Sequence, residues 1–350
     1  MFKVRVLNHE IIEEILDMKQ VIGAVEKVYT SKAEKKAELF PMVFHEFERG
    51  VADMDIKSGH LADADIFGLK LVSWYGENTK KDLPMLIGTT MVFDSITGKP
   101  IGILNAGHVT GMRTGAAAAI GAKVLARKES ENLLMVGTGH ISSFAIAATL
   151  IAMDNIKKVR IYDPMNIEEA KKLLASIGEE LEKEFLSKYQ GSSMYDEIKA
   201  KFDVEFELVE DIEKATSLSD IILTATPARE PMIMKDWVKP GTHISCIGAD
   251  MDGKQEIDEN IFAISRVYVD DLAQAISVGE TEIPIKSGAI TRDDIIAEIG
   301  DVMIGKASGR TSDDEITVYD TTGIALQDLM TSKLVLDIAE EKDMGTVVDL

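Results

Sequence analysis

One stretch constrains the fold of this chain more than any other. The apolar run LLMV at 133–136 leads into Gly137-Thr138-Gly139, then into the apolar, helix-forming ISSFAIAATLIAM, then into a second apolar run, VRIY, and then to Asp163. Strand, glycine turn, helix, strand and acid in that order make a βαβ unit, whose two strands must lie parallel. Gly137 permits the tight turn, and Gly139 lets the backbone approach a pyrophosphate resting on the helix N-terminus. Ser142 replaces the third glycine of the usual pattern and is small enough for close helix packing. Asp163 lies 24 residues after Gly139, at the end of the second strand. A carboxylate there accepts hydrogen bonds from the ribose hydroxyls of NAD and repels the 2′-phosphate of NADP. No arginine follows it closely, so NAD is the expected cofactor and NADP the less favoured one.

The rest of the chain organises around that unit. After Asp163 comes a long charged helix-prone stretch from Ile167 to Lys201, then apolar runs at 221–226, 242–248 and 267–270. Strands alternating with helices imply a doubly wound parallel sheet. Before it, Met1 to Leu7 alternates like a strand. Asn8 is placed to cap a helix with Ile11, Ile12, Ile15 and Met18 on its apolar face. Residues 66–74 and 86–94 read as an antiparallel pair joined by the polar link GENTKKDLP, and 100–106 as a further strand. Thr114 to Arg127 is small, apolar and helix-forming. DTTGIALQDLM, at 320–330, opens a last helix expected to pack back on the N-terminal part. The predicted architecture is α/β: a Rossmann-type domain, 128–319, inserted into a discontinuous α+β substrate and dimerisation domain, 1–127 plus 320–350. Residues 186–203 read as a helical surface insertion.

A chain of 350 residues suits two cores. Its formal net charge of −22 excludes nucleic acid and anionic membrane as partners, because both would repel it. A small anionic substrate then needs a few local cations. The single cysteine allows no intrachain disulfide, no run is long and apolar enough to span a membrane, and the N-terminus turns acidic too early for a signal peptide. The expected compartment is the cytoplasm. There is no C-x-x-C, the six histidines show no pair at ligand spacing, and no P-loop lysine is present, so no metal site is expected.

Two cations stand out. Lys70 lies inside the apolar strand from Phe67 to Trp74, where a solvent-facing lysine is the plain reading. Arg113 stands in GMRTGAAAA, just before the small-residue helix, where a guanidinium can clamp a carboxylate or form a buried ion pair. The loop GADMDGKQE at 248–256 follows a central strand, and in open α/β sheets ligands lie beyond the carboxyl ends of strands. Asp250 or Asp252 can therefore serve as a general base; spacing alone leaves both open. Lys254 and Glu256 either pair with each other or reach the cofactor.

These residues resemble the ornithine cyclodeaminase and mu-crystallin family. The resemblance runs in order over nearly the whole chain: FGLKLVSW, the D-x-x-T-G-x-P turn from Asp94 to Pro100, GMRTGAAAA, VGTGH, TATP, IGADMDGKQEI and DTTGIALQDL. It implies Asp250 as the catalytic aspartate, acting with Lys70. It implies Lys70, Arg113 and Thr322 as substrate contacts, and Met85, Arg113, Thr114, Gly137, Gly139, His140, Ile141, Asp163, Thr226, Cys246, Ile247, Lys254 and Thr321 as cofactor contacts. A homodimer is implied as well. The family's cyclodeaminases carry an acidic residue and a methionine shortly before the strand lysine, where this chain has Lys57 and Gly59. They also carry an arginine in the stretch that here reads PMVFHEFER, with only Arg49 nearby. Lys57 would repel the side-chain amine of ornithine.

The chemistry so implied is hydride transfer from Cα of a small amino acid, an imine intermediate, and ammonia release with or without cyclisation. Alternatives within the family are an alanine-type dehydrogenase and a reductase of cyclic ketimines or pyrroline-2-carboxylate. The non-enzymatic alternative is a mu-crystallin-like binder of NAD(P)H and small molecules. Intact Lys70, Arg113 and Asp250 favour catalysis.

Overall fold

The computed structural model describes residues 2–350 and divides into two compact units, Met1–Arg113 with Ile324–Leu350, and Thr114–Gly323. The expected boundaries, 127/128 and 319/320, differ from these at both junctions. Among the described residues no helix is long and apolar enough to cross a membrane.

The first unit is a mostly antiparallel sheet. Its strands run in the order Thr346–Asp349, Lys3–Leu7, Pro100–Asn105, Leu86–Asp94, Ile66–Tyr75, Ala52–Leu61 and Ala37–Leu39, with Val43–Glu48 also paired to Ala52–Leu61. The Ile66–Tyr75 and Leu86–Asp94 strands pair antiparallel, as the alternation predicts. Asn8 caps its helix by accepting a bond from the Ile11 amide at 3.1 Å, an interaction worth about 1 kcal/mol. The helix is shorter than expected, His9–Ile15. Met18 opens a second helix, Met18–Ala33, because Asp17 caps it through the Gln20 amide. Met1, part of the expected first strand, lies outside the described residues.

The C-terminal helix, Ala325–Glu341, packs on this sheet. Three glycines make the fit possible. A Cβ at Gly59 would come within 2.8 Å of a Leu326 methyl, one at Gly68 within 2.7 Å of Leu329, and one at Gly102 within 2.5 Å of Leu336. Real Cβ atoms do not approach so closely, so the helix and the sheet face are matched through missing side chains.

The second unit is an eight-stranded sheet whose neighbours are all parallel: Glu205–Leu208, Lys158–Tyr162, Asn132–Val136, Ile221–Thr224, His243–Cys246, Ile316–Asp320, Ser265–Val269 and Ile295–Glu298. The central strands are buried on both faces, which is why they read as continuous apolar runs. Chain order reverses between Asn132–Val136 and Ile221–Thr224, so the switch point of the sheet lies beyond Val136 and Thr224.

The helix-prone stretch from Ile167 to Lys201 forms in pieces: Ile167–Glu180 widens into a π-turn at Leu181–Phe185, narrows to a 3-10 turn at Leu186–Tyr189, and restarts at Tyr195–Phe202. Leu186, Tyr189 and Ile198 are buried and anchor the 186–203 segment, most of whose other residues are exposed.

Candidate functional site

Arg113 is not in front of a helix. The helix spans Gly107–Leu125, and Arg113 lies in its second turn. The helix thus begins before the expected start at Thr114, and it is buried from Gly111 through Ala122, which outweighs the low helix propensity of its glycines. At Gly115 a Cβ would come within 2.5 Å of the Phe144 carbonyl oxygen, so that glycine is a packing requirement.

Lys70 does not face solvent: it is 3% exposed. Its Nζ donates to Asp328 Oδ1 at 2.8 Å, and Arg113 Nε donates to the same oxygen at 3.2 Å. Arg113 Nη1 also donates to Gln327 Oε1, and Gln327 Nε2 to the Tyr29 hydroxyl. One fully buried carboxylate thus holds two buried cations, while its Oδ2 has no partner. Burial pushes the Lys70 amine down to about 8, helped by Arg113 and Lys57 and opposed by Asp328. Burial also pushes the Asp328 carboxyl up, but Arg113 and Lys70 outweigh it and hold that group below the usual range. Asp328 and Gln327 were not singled out from the sequence, although an acid inside the apolar run IALQDLM was a usable signal.

In the second unit, Gly137 adopts φ +101°, and a Cβ there would lie 2.5 Å from the Ala225 carbonyl oxygen. Only glycine fits. Gly139 differs, since a Cβ on it would meet no protein atom within 4 Å, so packing does not account for it. The helix that follows, Ser142–Ala152, has Ile141 at its N-cap and no side-chain cap bond. The Ser142 amide turns back to the Gly139 carbonyl at 3.0 Å, so backbone rather than a side chain begins the helix. Asp163 is tied to the glycine loop: Oδ2 accepts from the Thr138 amide and hydroxyl, and Oδ1 from the amides of Met165 and Asn166. Burial raises its carboxyl, but these bonds prevail and keep it ionised. His140 is exposed and stacks edge-on against Phe144.

Thr226 and Glu256 replace an expected pairing. Lys254 does not pair with Glu256. Glu256 is buried and accepts from the Thr226 amide and hydroxyl, the Thr224 hydroxyl and the Gly248 amide. Lys254 donates instead to Asp250 Oδ1 at 2.6 Å and to the Gly248 carbonyl at 3.2 Å. The rival acid, Asp252, pairs with Lys286 at 2.8 Å on the surface. Cys246 ends its strand, buried, with its thiol pushed far up by burial and by Glu280 and Glu256, and the Thr321 amide donates to its carbonyl. Ile247 is half-buried. The hydroxyls of Thr321 and Thr322 donate to Asp270 at 2.8 and 3.2 Å. Thr114 is buried. Met85 is 45% exposed in the first unit, where its carbonyl accepts from the Tyr75 amide.

A model of the ornithine cyclodeaminase/mu-crystallin family matches residues 3–187 and 186–343. The chain belongs to that family. An archaeal alanine dehydrogenase, solved as a dimer with bound NAD, is 33% identical, covers 100% of each chain and superposes with a TM-score of 0.87. The Δ(1)-pyrroline-2-carboxylate reductase of Thermococcus litoralis, solved with NADH and L-proline, is 30% identical over 98% of this chain and 99% of its own, with a TM-score of 0.86. The iminosuccinate reductase of Paracoccus denitrificans, solved with NAD⁺, is 30% identical over 100% of each chain, also with a TM-score of 0.86.

Proposed function

We propose that this family member is an NAD-dependent oxidoreductase that interconverts a small α-amino acid and its imine. The observation that carries the reading is the pair of buried cations, Lys70 and Arg113, held on one oxygen of Asp328. In a chain of net charge −22, two desolvated cations on a single acid are costly to bury. A substrate carboxylate is the ligand that offsets them.

The second unit fits a dinucleotide. The tight turn at Gly137, the open space at Gly139 and the start of the Ser142–Ala152 helix, which no side chain caps, suit the close approach of a pyrophosphate to the backbone. The ionised Asp163 carboxylate suits ribose hydroxyls and disfavours a 2′-phosphate, which favours NAD over NADP. When bound, NAD⁺ takes up the hydride from the substrate Cα, and NADH returns it to an imine.

The chain's own groups do the rest. Lys70 and Arg113 grip the carboxylate and fix the direction of the Cα–H bond. Asp250 moves the proton: it takes one from the water or amine that attacks the imine carbon, and returns it in reverse. Lys254 orients that carboxylate through its 2.6 Å bond. The relatives are an alanine dehydrogenase, an iminosuccinate reductase and a pyrroline-2-carboxylate reductase, and each of those three substrates carries the α-carboxylate that Lys70 and Arg113 would grip. If the attacking nucleophile is the substrate's own amine, the outcome is cyclodeamination. We further propose a homodimer: Val43, Phe44 and Phe47 lie exposed on one strand, an apolar surface that a second copy can cover. Equilibrium sedimentation at micromolar concentration tests it, and a monomer there overturns it.

The decisive variant is Asp250→Asn. It is expected to bind NADH as the unaltered protein does, read by nicotinamide fluorescence, and to lose at least ~100-fold in turnover. A panel of amino acids with NAD⁺, followed by both NADH absorbance and ammonia release, supplies the activity. Turnover retained in the variant overturns the role of Asp250.

A further inference from the structure

The register of the first unit aligns three donors in a single row. Lys57 is the direct cross-strand partner of Lys70, and Thr90 is the partner of Lys70 on its other side. Directly opposed residues of antiparallel strands point to the same face, with Cβ atoms roughly 4.5–5.5 Å apart. This is the face the C-terminal helix covers: Gly59 and Gly68, one step along the same row of pairs, meet Leu326 and Leu329, while Lys70 meets Asp328.

Two features of the row bear on what it can bind. Two ammonium groups in directly opposed positions repel each other, and such a pair gathers positive charge at one point of a sheet. Lys57 disfavours the charged Lys70 amine and favours the charged Asp328 carboxylate. Thr90 is fully buried, and its hydroxyl has no hydrogen-bond partner. Asp55 shares the face of Lys57 one pair further from Lys70, opposite Val72, and Asp328 reaches the same row from the covering helix. A half-exposed lysine and an orphaned hydroxyl flanking the buried lysine are explained together by an anion with more than one charged end.

Resting on the reading of this protein as an amino-acid and imine oxidoreductase, we infer that the Lys57–Lys70–Thr90 row selects a substrate with a second carboxylate on its side chain. Lys70, with Arg113, takes the α-carboxylate; Lys57 attracts the distal one. A four-carbon amino or imino dicarboxylate spans the row, and a diamino acid is rejected because its distal ammonium would face Lys57.

Two measurements separate this inference from the reading beneath it. The first needs no turnover: thermal unfolding with succinate or with propionate, which share a carboxylate and differ in the second one. Succinate is expected to raise Tm more than propionate in the unaltered protein. Lys57→Met is expected to erase that difference and Lys57→Arg to keep it. Equal protection by the two anions, protection by neither, or a difference that survives in Lys57→Met overturns the inference. The second is kinetic: kcat/KM for L-aspartate over that for L-alanine with NAD⁺ is expected to fall at least tenfold in Lys57→Met and to recover in Lys57→Arg. An unchanged ratio also overturns the inference. A chain that oxidises no amino acid, and reduces no 2-oxo acid with ammonium and NADH, overturns the oxidoreductase reading, and the succinate–propionate comparison then decides the role of Lys57 by itself.

Discussion

Each unit buries a group of charged side chains, and the two groups are stabilised by opposite means. In the first unit the charges differ in sign: Lys70 and Arg113 share Asp328, and the acid is held ionised. In the second unit they are alike. Glu256, Glu280, Asp270 and Asp320 are all buried, and burial raises every one of them, Asp320 to about 7. Glu280 is raised further by Glu256, and Asp320 by Asp270. The acids accept bonds from backbone amides and hydroxyls: Glu280 from the amides of Glu256 and Ile257, Asp320 from the amide and hydroxyl of Thr281. One group is a desolvated ion cluster, and the other is a set of hydrogen-bond acceptors whose carboxyls are all raised. Burial alone therefore does not decide whether a carboxyl is charged; the sign of its neighbours does.

The strongest way to break this contrast is Asp328→Asn. It removes the charge that two buried cations share, and breaking a buried pair in this way costs about 3–5 kcal/mol. Urea unfolding measures it; a loss under about 1 kcal/mol would mean that water already screens the cluster. Substitutions in the acid group are expected to be far milder. Glu280→Gln preserves an acceptor for the two amides and removes the charge that burial and Glu256 disfavour, so the expected cost is about 1 kcal/mol or less.

The same contrast predicts opposite responses to pH. Asp328 is held below its ordinary value, so its contribution is present above pH ~4 and is lost as pH falls through its lower folded value. Asp320 is raised from 3.8 to about 7, so its contribution is complete below pH ~4 and is lost as pH rises toward 7. Unfolding followed from pH 4 to 7 in Asp320→Asn and in the unaltered protein isolates the second slope. The variant should lack that part of the decline; an identical slope would remove Asp320 from the account.

Much of this was legible in the sequence, and the failures have a pattern. The βαβ unit was readable because strand, Gly137, helix and Asp163 each impose a local geometry. The C-terminal helix was readable because ALQDLM is a strong helix former. The resemblance implies Lys70 as a substrate residue, but its burial is not legible, because a strand pattern gives a side chain's face only relative to its neighbours. Arg113 falls before the expected helix start at Thr114 because Gly107, Gly111 and Gly115 lower the helix propensity of that segment, and for Gly115 the packing against Phe144 shows why glycine is required. A pairing of Glu256 with Lys254 was one of two readings that closeness in the chain left open, and neighbours distant in sequence, Thr224, Thr226 and Gly248, hold Glu256 instead. Asp328 was missed for the same reason: its partners are 258 and 215 residues away.

Cys246 has a practical consequence. It is the chain's single thiol; it is buried and strongly disfavoured as a thiolate, the form that reacts. The folded protein is thus silent toward maleimides and other thiol reagents without any engineering. One cysteine introduced on the surface will carry a fluorophore or spin label alone, and a pair will report a distance against a blank background. Conversely, the moment at which the native thiol becomes reactive is a clock for the opening of the unit that contains it.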